Sequence, residues 1–274
     1  ADSEYIIDDR ARVLLPNIDD PQDALTAIDS LRTSLKPRSS VRLVGLSGVG
    51  KTRLVQALFD PKVVTPSPAL HESTVIYTDL SDSPTPQPTA MVEALLDSSA
   101  VATVVIDNCG SELHKRLTDL VKRSGSGLSL VTIEYDIRDD LPDGTLCYRL
   151  EAASEEVIKK LLGRRFPDLS ANDVQRVAEF SDGNARVAFA LAGASEHRND
   201  LAQLSDDDLF RRLFYQKQGE SDELLKCAEA ASVLYSFDGV DTAANSELAV
   251  LAALADVSVL TFSRHVAELQ RRGL

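Results

Sequence analysis

The chain is poor in three things that would otherwise decide its class: cysteine, long apolar runs and positive charge. Its three cysteines, Cys109, Cys147 and Cys227, lie far apart, are odd in number and match no metal-ligand spacing. That excludes a disulfide framework and a zinc site, and it fits buried thiols in a reducing, cytoplasmic setting. No apolar run approaches the roughly 20 residues needed to span a bilayer, and the first residues lack a basic-then-apolar leader pattern, so no membrane role is expected. Lys and Arg number 29 against 43 Asp and Glu, giving a net charge of −14 and a pI near 4.7. A surface of that sign repels nucleic-acid phosphates unless a local patch overrides it, so nucleic acid is not expected as a partner. The chain is long enough, with 274 residues and 43% apolar content, for one large or several small domains with a real core.

What is present is specific. Gly45-Leu46-Ser47-Gly48-Val49-Gly50-Lys51-Thr52 fits the phosphate-loop pattern G-x-x-x-x-G-K-[ST]. The context agrees: Val41-Arg42-Leu43-Val44 reads as a short buried strand, and Leu54 and Leu58 start a helical period after the loop. Glycines let successive N–H groups turn inward, and the helix N-terminus adds partial positive charge, so such a loop cradles phosphates. The expected binding set is Gly45, Ser47, Gly48, Val49, Gly50, Lys51, Thr52 and Arg53. Lys51 is expected on the β- and γ-phosphates of ATP or ADP, and the Thr52 hydroxyl on Mg²⁺.

A second strand, Val101 to Asp107, is a near-continuous β-branched run ending in a carboxylate. Runs of that kind suit a parallel strand covered on both faces, and Asp107 at its carboxyl end is the expected second Mg²⁺ residue, holding the ion through water. Asn108 follows, where an acid that activates water is common in such ATPases. An amide has no useful basicity, so slow hydrolysis or a borrowed base is expected, with Glu134, Asp79 and Asp82 as candidates and Thr132 as a γ-phosphate sensor. No Asn-Lys-x-Asp guanine reader occurs, which argues against a GTPase.

Strands alternate with helices to about residue 150, which predicts a parallel, three-layer α/β core. Asp20-Pro21 reads as a helix start, residues 81–88 as a surface loop, and Ser111 opens a helix with Leu113, Leu117, Leu120 and Val121 on one face. Beyond Leu150 only helical periods with caps at Ser154, Ser170 and Ser205 appear. The expected boundaries are 1–40 for an N-terminal segment, 41–150 for the nucleotide core, 151–202 for a helical lid and 203–274 for a further helical domain. In the last, Glu247 to Ala255 and Leu260 to Arg272 around Asp256-Val257-Ser258 resemble the central helices of a winged helix. The first residue is Ala1 and the chain stops at Leu274 where a wing is expected, which reads as an excised segment.

Phosphate loop, Asp-ended strand, a third strand and then helices holding Gly183-Asn184-Ala185-Arg186 resemble the nucleotide-binding core of the AAA+ and STAND ATPases, including the NB-ARC type. The resemblance implies that Arg186, in a region similar to sensor 2, joins Lys51, Asp107 and Asn108 in the catalytic centre by reaching the γ-phosphate. It also implies a slow switch that closes on ADP, self-associates with ATP, and answers to sensor and effector domains outside this segment. Departures are Asn108, the absence of a sensor arginine other than Arg138, the replacement of an N-terminal Gly-Arg element by Arg10 or Arg12 alone, and His265 on the wrong element for the family's winged-helix histidine. The alternatives are an origin-recognition-like ATPase that binds DNA through Arg264, Arg271 and Arg272, and a nucleotide-binding scaffold that never hydrolyses.

Overall fold

A computed structural model describes residues 5–6, 10, 12–18, 20–134, 145–194, 201–215, 221–234 and 237–272. The chain divides into two compact units, Ala1–Leu209 and Phe210–Leu274.

The first unit is built on six strands: β1 (Val13–Leu14), β2 (Ser40–Val44), β3 (Val75–Asp79), β4 (Val101–Asp107), β5 (Gly127–Glu134) and β6 (Leu146–Leu150), in the order β1-β6-β2-β5-β4-β3. The pairs β6/β2, β2/β5, β5/β4 and β4/β3 are parallel, and β1 alone runs antiparallel, on β6. All five parallel strands therefore end at one edge, the edge where open α/β sheets bind ligands. It carries Val44, Asp79, Asp107, Glu134 and Leu150 as last residues.

Both faces are covered, which is why β4 and β5 read as unbroken buried runs instead of alternating ones. Along a strand, successive side chains still alternate in direction. Leu43, Val105, Val131, Ile133 and Tyr148 pack in one core with Ile28 and Leu31 of α1 (Ala24–Ser34) and Leu54 and Val55 of α2 (Lys51–Ala57). Val104, Ile106, Leu128 and Leu130 pack in another with Val92 of α3 (Pro88–Asp97) and Leu117 and Leu120 of α4 (Ser111–Val121). Asp107 follows Val105 by two and shares the α2 side; Glu134 follows Leu130 by four and shares the α4 side.

The α1 start corrects the sequence reading. Asp20-Pro21 does not cap it: Gln22 forms a bridge with Val13, exchanging N–H···O bonds of 2.8 and 2.9 Å. The cap is Asp23, whose carboxylate accepts from the Thr26 N–H at 2.8 Å. Pairing to the strand β1 thus outweighs the proline signal. The far end of α1 carries Arg32, only 5% exposed, whose guanidinium donates to the carbonyls of Ala57, Leu58, Asp60, Val63 and Ser67 and to the Thr65 hydroxyl.

After β6 come α5 (Glu155–Arg165), α6 (Ala171–Ser181) and α7 (Ala185–Ala194). Ser154 caps α5 through the Val157 N–H, and Ser170 caps α6 through the Asp173 N–H at 3.1 Å, as their spacing predicts. Gly183, at φ 75°, turns α6 into α7, and a Cβ there would collide with the Ala153 carbonyl. The turn is thereby seated on the segment leaving the sheet.

A further helix, α8 (Asp206–Tyr215), has its cap at Ser205, whose hydroxyl accepts from the Asp208 N–H at 3.2 Å. The second unit contains α9 (Asp222–Ala231), α10 (Glu247–Leu254) and α11 (Val259–Arg272), with Cys227, Leu248, Leu251 and Phe262 at its centre. The last two helices cross at 90° around a short turn in which Asp256 takes φ 57°, a helix-turn-helix. Among the described residues no single helix is long and apolar enough to cross a membrane.

Candidate nucleotide-binding site

The phosphate loop joins β2 to α2, with Gly50 in the left-handed region at the α2 N-terminus. Lys51 is 8% exposed and donates from Nζ to the carbonyls of Gly45 and Leu46, both at 2.7 Å. Burial lowers its ammonium below the ordinary lysine value, against the raising pull of Asp107 and then Glu134. The result is a desolvated cation wrapped in its own loop, next to a helix N-terminus. This combination favours an anion of high charge density.

Beside it, the Thr52 hydroxyl donates to Asp107 Oδ2 at 2.7 Å, bringing together two motif residues 55 positions apart. Tyr77 on β3 donates its hydroxyl to the same oxygen at 3.1 Å, and the Asn108 N–H donates to Oδ1 at 2.9 Å. Burial, then the Asp107 charge, push the Tyr77 phenol well above its ordinary value, so it stays a donor. Tyr77 carries no motif, and only its position two residues before the end of β3 could have pointed to it. One carboxylate and one hydroxyl, both hard oxygens, suit Mg²⁺, which is held by few protein groups and completes its shell with phosphates and water. Among the described residues no group of three or more His, Cys, Asp or Glu could hold a metal by itself.

Asn108, at φ 56°, turns back so that its Nδ2 donates to Asp79 Oδ1 at 2.7 Å. Asp79 is also bound at Oδ1 by the Ser81 N–H and hydroxyl. Burial opposes ionisation of this carboxyl, but the bonds from Asn108 and Ser81 outweigh it and hold the group below its ordinary value. Asp82 is exposed on the following turn.

Glu134 occupies a different environment. It is 6% exposed and faces the Arg42 guanidinium at 3.8 Å, while Arg42 also donates to the Cys109 carbonyl. Burial drives the Cys109 thiol up to about 12, which makes it an inert core group, as its sequence position suggested. Thr132 does not serve as the expected phosphate sensor. It has no exposure, and its hydroxyl is engaged at 2.7 Å by His114 Nδ1 on α4, because alternation along β5 turns it to that side.

The helix following Gly183 reaches the loop. Asn184 Nδ2 donates to the Ser47 carbonyl at 2.8 Å, and Arg186 Nη1 donates to the Ser47 hydroxyl at 3.3 Å. Asn184 Oδ1 in turn caps α7 through the N–H groups of Arg186 and Val187. Gly48 lies directly beneath: a Cβ there would collide with Asn184 Oδ1 and press on Arg186. Arg186 is thus within reach of whatever the loop holds.

Sequence reading missed a cavity beside the loop, also lined by α7. It has a volume of about 590 Å³ and lies among Tyr5, Gly50, Arg53, Leu54, Leu161 and Phe189. Arg53 stacks over the Tyr5 ring at 4.0 Å and Arg165 over Phe189 at 4.8 Å. A largely apolar cavity whose lining includes two guanidinium–ring contacts, next to a phosphate cradle, fits a nucleobase and ribose. Its walls come from segments scattered across the chain, each unremarkable alone. Arg12, one of two N-terminal candidates, is paired with Glu151 at 3.3 Å, and Arg138 lies outside the described residues.

Compared with known proteins, the chain matches no protein-family model and no curated protein. Among solved structures it is similar to a Walker-type ATPase of Pyrococcus abyssi, at 14% identity and a TM-score of 0.47, over 77% of this chain and 74% of that one. It is also similar to a signal transduction ATPase with numerous domains (STAND) that has a tetratricopeptide repeat sensor, from Pyrococcus horikoshii. There the identity is 12% and the TM-score 0.41, with 97% of this chain covering 41% of that one.

Proposed function

We propose that this chain is an ATP- and ADP-binding switch module of the STAND kind, one that governs activation or self-association of a larger signalling or defence protein and hydrolyses ATP slowly. The observation that carries the reading is the contact of Asn184 and Arg186 with Ser47, which ties a helical element to the phosphate loop. A guanidinium there gains two parallel donors on a γ-phosphate and loses that partner on ADP, so triphosphate and diphosphate favour different lid positions. A ligand shifts such an equilibrium only by its differential affinity for the two positions, and Arg186 supplies the difference.

In this reading phosphate oxygens replace the Gly45 and Leu46 carbonyls as acceptors for Lys51. Thr52 and Asp107 hold Mg²⁺, which when bound neutralises charge on the β- and γ-phosphates. Tyr77 fixes the Asp107 carboxylate, and the cavity beside Arg53 takes the base. Asn108 offers no basicity, which suits a timer whose triphosphate form must outlast assembly. Asparagine at this position also suits a scaffold that binds without turnover, and the hydrolysis assay below separates the two.

Titration calorimetry with ATP, ADP and GTP in the presence of Mg²⁺ tests the reading. The adenine nucleotides are expected to bind, and Lys51→Ala to weaken them at least about tenfold, from the roughly 1.5–3 kcal/mol of a charge-assisted contact. Unchanged affinity in Lys51→Ala would remove the phosphate-loop assignment. Light scattering with each nucleotide then shows whether ATP drives self-association.

A second reading, a DNA-directed ATPase, is favoured by one observation, the 90° helix-turn-helix of α10 and α11. Against it stand the net charge of −14 and the engagement of His265 by Glu223 on α9 at 2.9 Å, which is a packing contact.

A further inference from the structure

Three candidates for the missing catalytic acid were legible in the sequence, and their surroundings separate them. Glu134 lies on the α4 side of the sheet and faces buried Arg42, its charge also reaching Lys51. Asp82 is exposed and makes no hydrogen bond to a site residue among those described. Asp79 is different on three counts. It is the register partner of Asp107 on the adjacent parallel strand, so the two carboxylates leave the same edge about 4.8 Å of strand spacing apart. Its three hydrogen bonds, from Asn108 Nδ2, Ser81 N and Ser81 Oγ, all end on Oδ1, and Oδ2 accepts none among the described residues. The residue that holds it is Asn108 itself, whose left-handed φ of 56°, a conformation asparagine adopts readily, turns its side chain back onto β3.

We propose that Asp79 is the group that accepts the proton of the attacking water, through its uncommitted Oδ2, and that Asn108 is a positioning residue that holds Oδ1. The acid is then not lost from the site but moved to the neighbouring strand, with the amide left in its place. In the step, the water oxygen forms a bond to the γ-phosphorus while the bond from that phosphorus to the β,γ-bridging oxygen breaks. The electron pair of the broken bond leaves with ADP, the water proton passes to Asp79 Oδ2 and on to solvent, and inorganic phosphate is the second product. An anchored carboxylate that must share its hydrogen bonds with Ser81 is a weak base, in keeping with slow turnover.

This assignment rests on the nucleotide reading, and the experiment keeps the two apart. Wild type, Asp79→Asn, Asp82→Asn and the transposed pair Asp79→Asn with Asn108→Asp are compared in three measurements: calorimetric Mg-ATP binding, single-turnover hydrolysis, and capture of ADP with fluoroaluminate as a transition-state mimic. Asp79→Asn is expected to bind ATP within about threefold of wild type, yet to lose about a hundredfold in hydrolysis, the lower range of general base catalysis, and to capture ADP-fluoroaluminate correspondingly less. Asp82→Asn should match wild type in all three. The transposed pair, which restores one carboxylate and one amide, should recover at least about tenfold over Asp79→Asn. Hydrolysis by Asp79→Asn within about threefold of wild type overturns the proposal, as does a wild type that binds Mg-ATP but turns none over. A wild type that binds no nucleotide overturns instead the reading beneath it.

Discussion

Asp107 and Glu134 end adjacent strands at one sheet edge, and their surroundings are opposite. Among the described residues Asp107 accepts hydrogen bonds only from neutral donors, Thr52, Tyr77 and the Asn108 backbone, and its charge pulls on the nearby Lys51 ammonium. Glu134 is matched to a buried guanidinium and held against the α4 side, where Ser40, Thr118, His114, Thr132 and Thr145 form a polar chain. The surroundings of a carboxylate at the end of a parallel strand, neutral donors or a buried guanidinium, therefore depend on the face it joins, and a one-residue difference in register is enough to choose.

The sharpest way to break that contrast is to remove each acid. Glu134→Ala should strand the Arg42 charge in the core and cost about 3–5 kcal/mol of stability, seen as a fall in urea midpoint. Asp107→Asn should leave that midpoint near wild type while Mg²⁺ no longer strengthens ATP binding. Equal destabilisation by both would erase the distinction.

Acid should act on the α4 side next. Burial, then the charges of Arg42 and Lys122, lower His114 from an ordinary 6.5 to about 4 in the folded chain. Between these values the unfolded chain binds more protons than the folded one, so stability rises with pH there. The contribution is complete above pH 6.5 and falls away towards pH 4, about 3 kcal/mol in all. His114→Gln should flatten the dependence of the urea midpoint between pH 7 and 4.5. An unaltered slope would place the acid sensitivity elsewhere.

On the α2 side, Arg186→Ala is expected to weaken ATP by about tenfold while changing ADP little, as the loss of one charge-assisted contact of roughly 1.5 kcal/mol would. Calorimetry showing equal loss for both nucleotides would make Arg186 a loop support and not a discriminator. The smallest expected effect is none: labelled duplex DNA at low salt should give no anisotropy change with either nucleotide. Binding at about micromolar affinity with a salt slope of several units would favour the DNA-directed reading.

Much of this was written locally. Strand β4 and its terminal acid, the loop of Gly45 to Thr52, and the caps at Ser154, Ser170 and Ser205 all follow from spacing and residue type, because each is decided within a few neighbours. What failed depended on distant partners. Asp20-Pro21 has every mark of a helix start, and a bridge between Gln22 and Val13 overrode it. Thr132 was in the right strand on the wrong face. The bond from Asn108 to Asp79 and the cavity beside Arg53 arise only when segments far apart meet, and no periodicity records such a meeting.

The guanidinium of Arg32 has a consequence for how this fold can drift. Five of its six acceptors are backbone carbonyls, which every residue possesses, so it holds the turn of residues 57–67 mainly through the backbone, with the Thr65 hydroxyl as the sixth acceptor. Exposed positions such as Lys62 and Val64 are accordingly free to vary, while Arg32 itself has no equivalent, since lysine lacks the planar fork. One codon thus carries much of the path of an eleven-residue turn, whose exposed positions would look unconstrained in a comparison of sequences although Ala57, Leu58 and Val63 are anchored in the core.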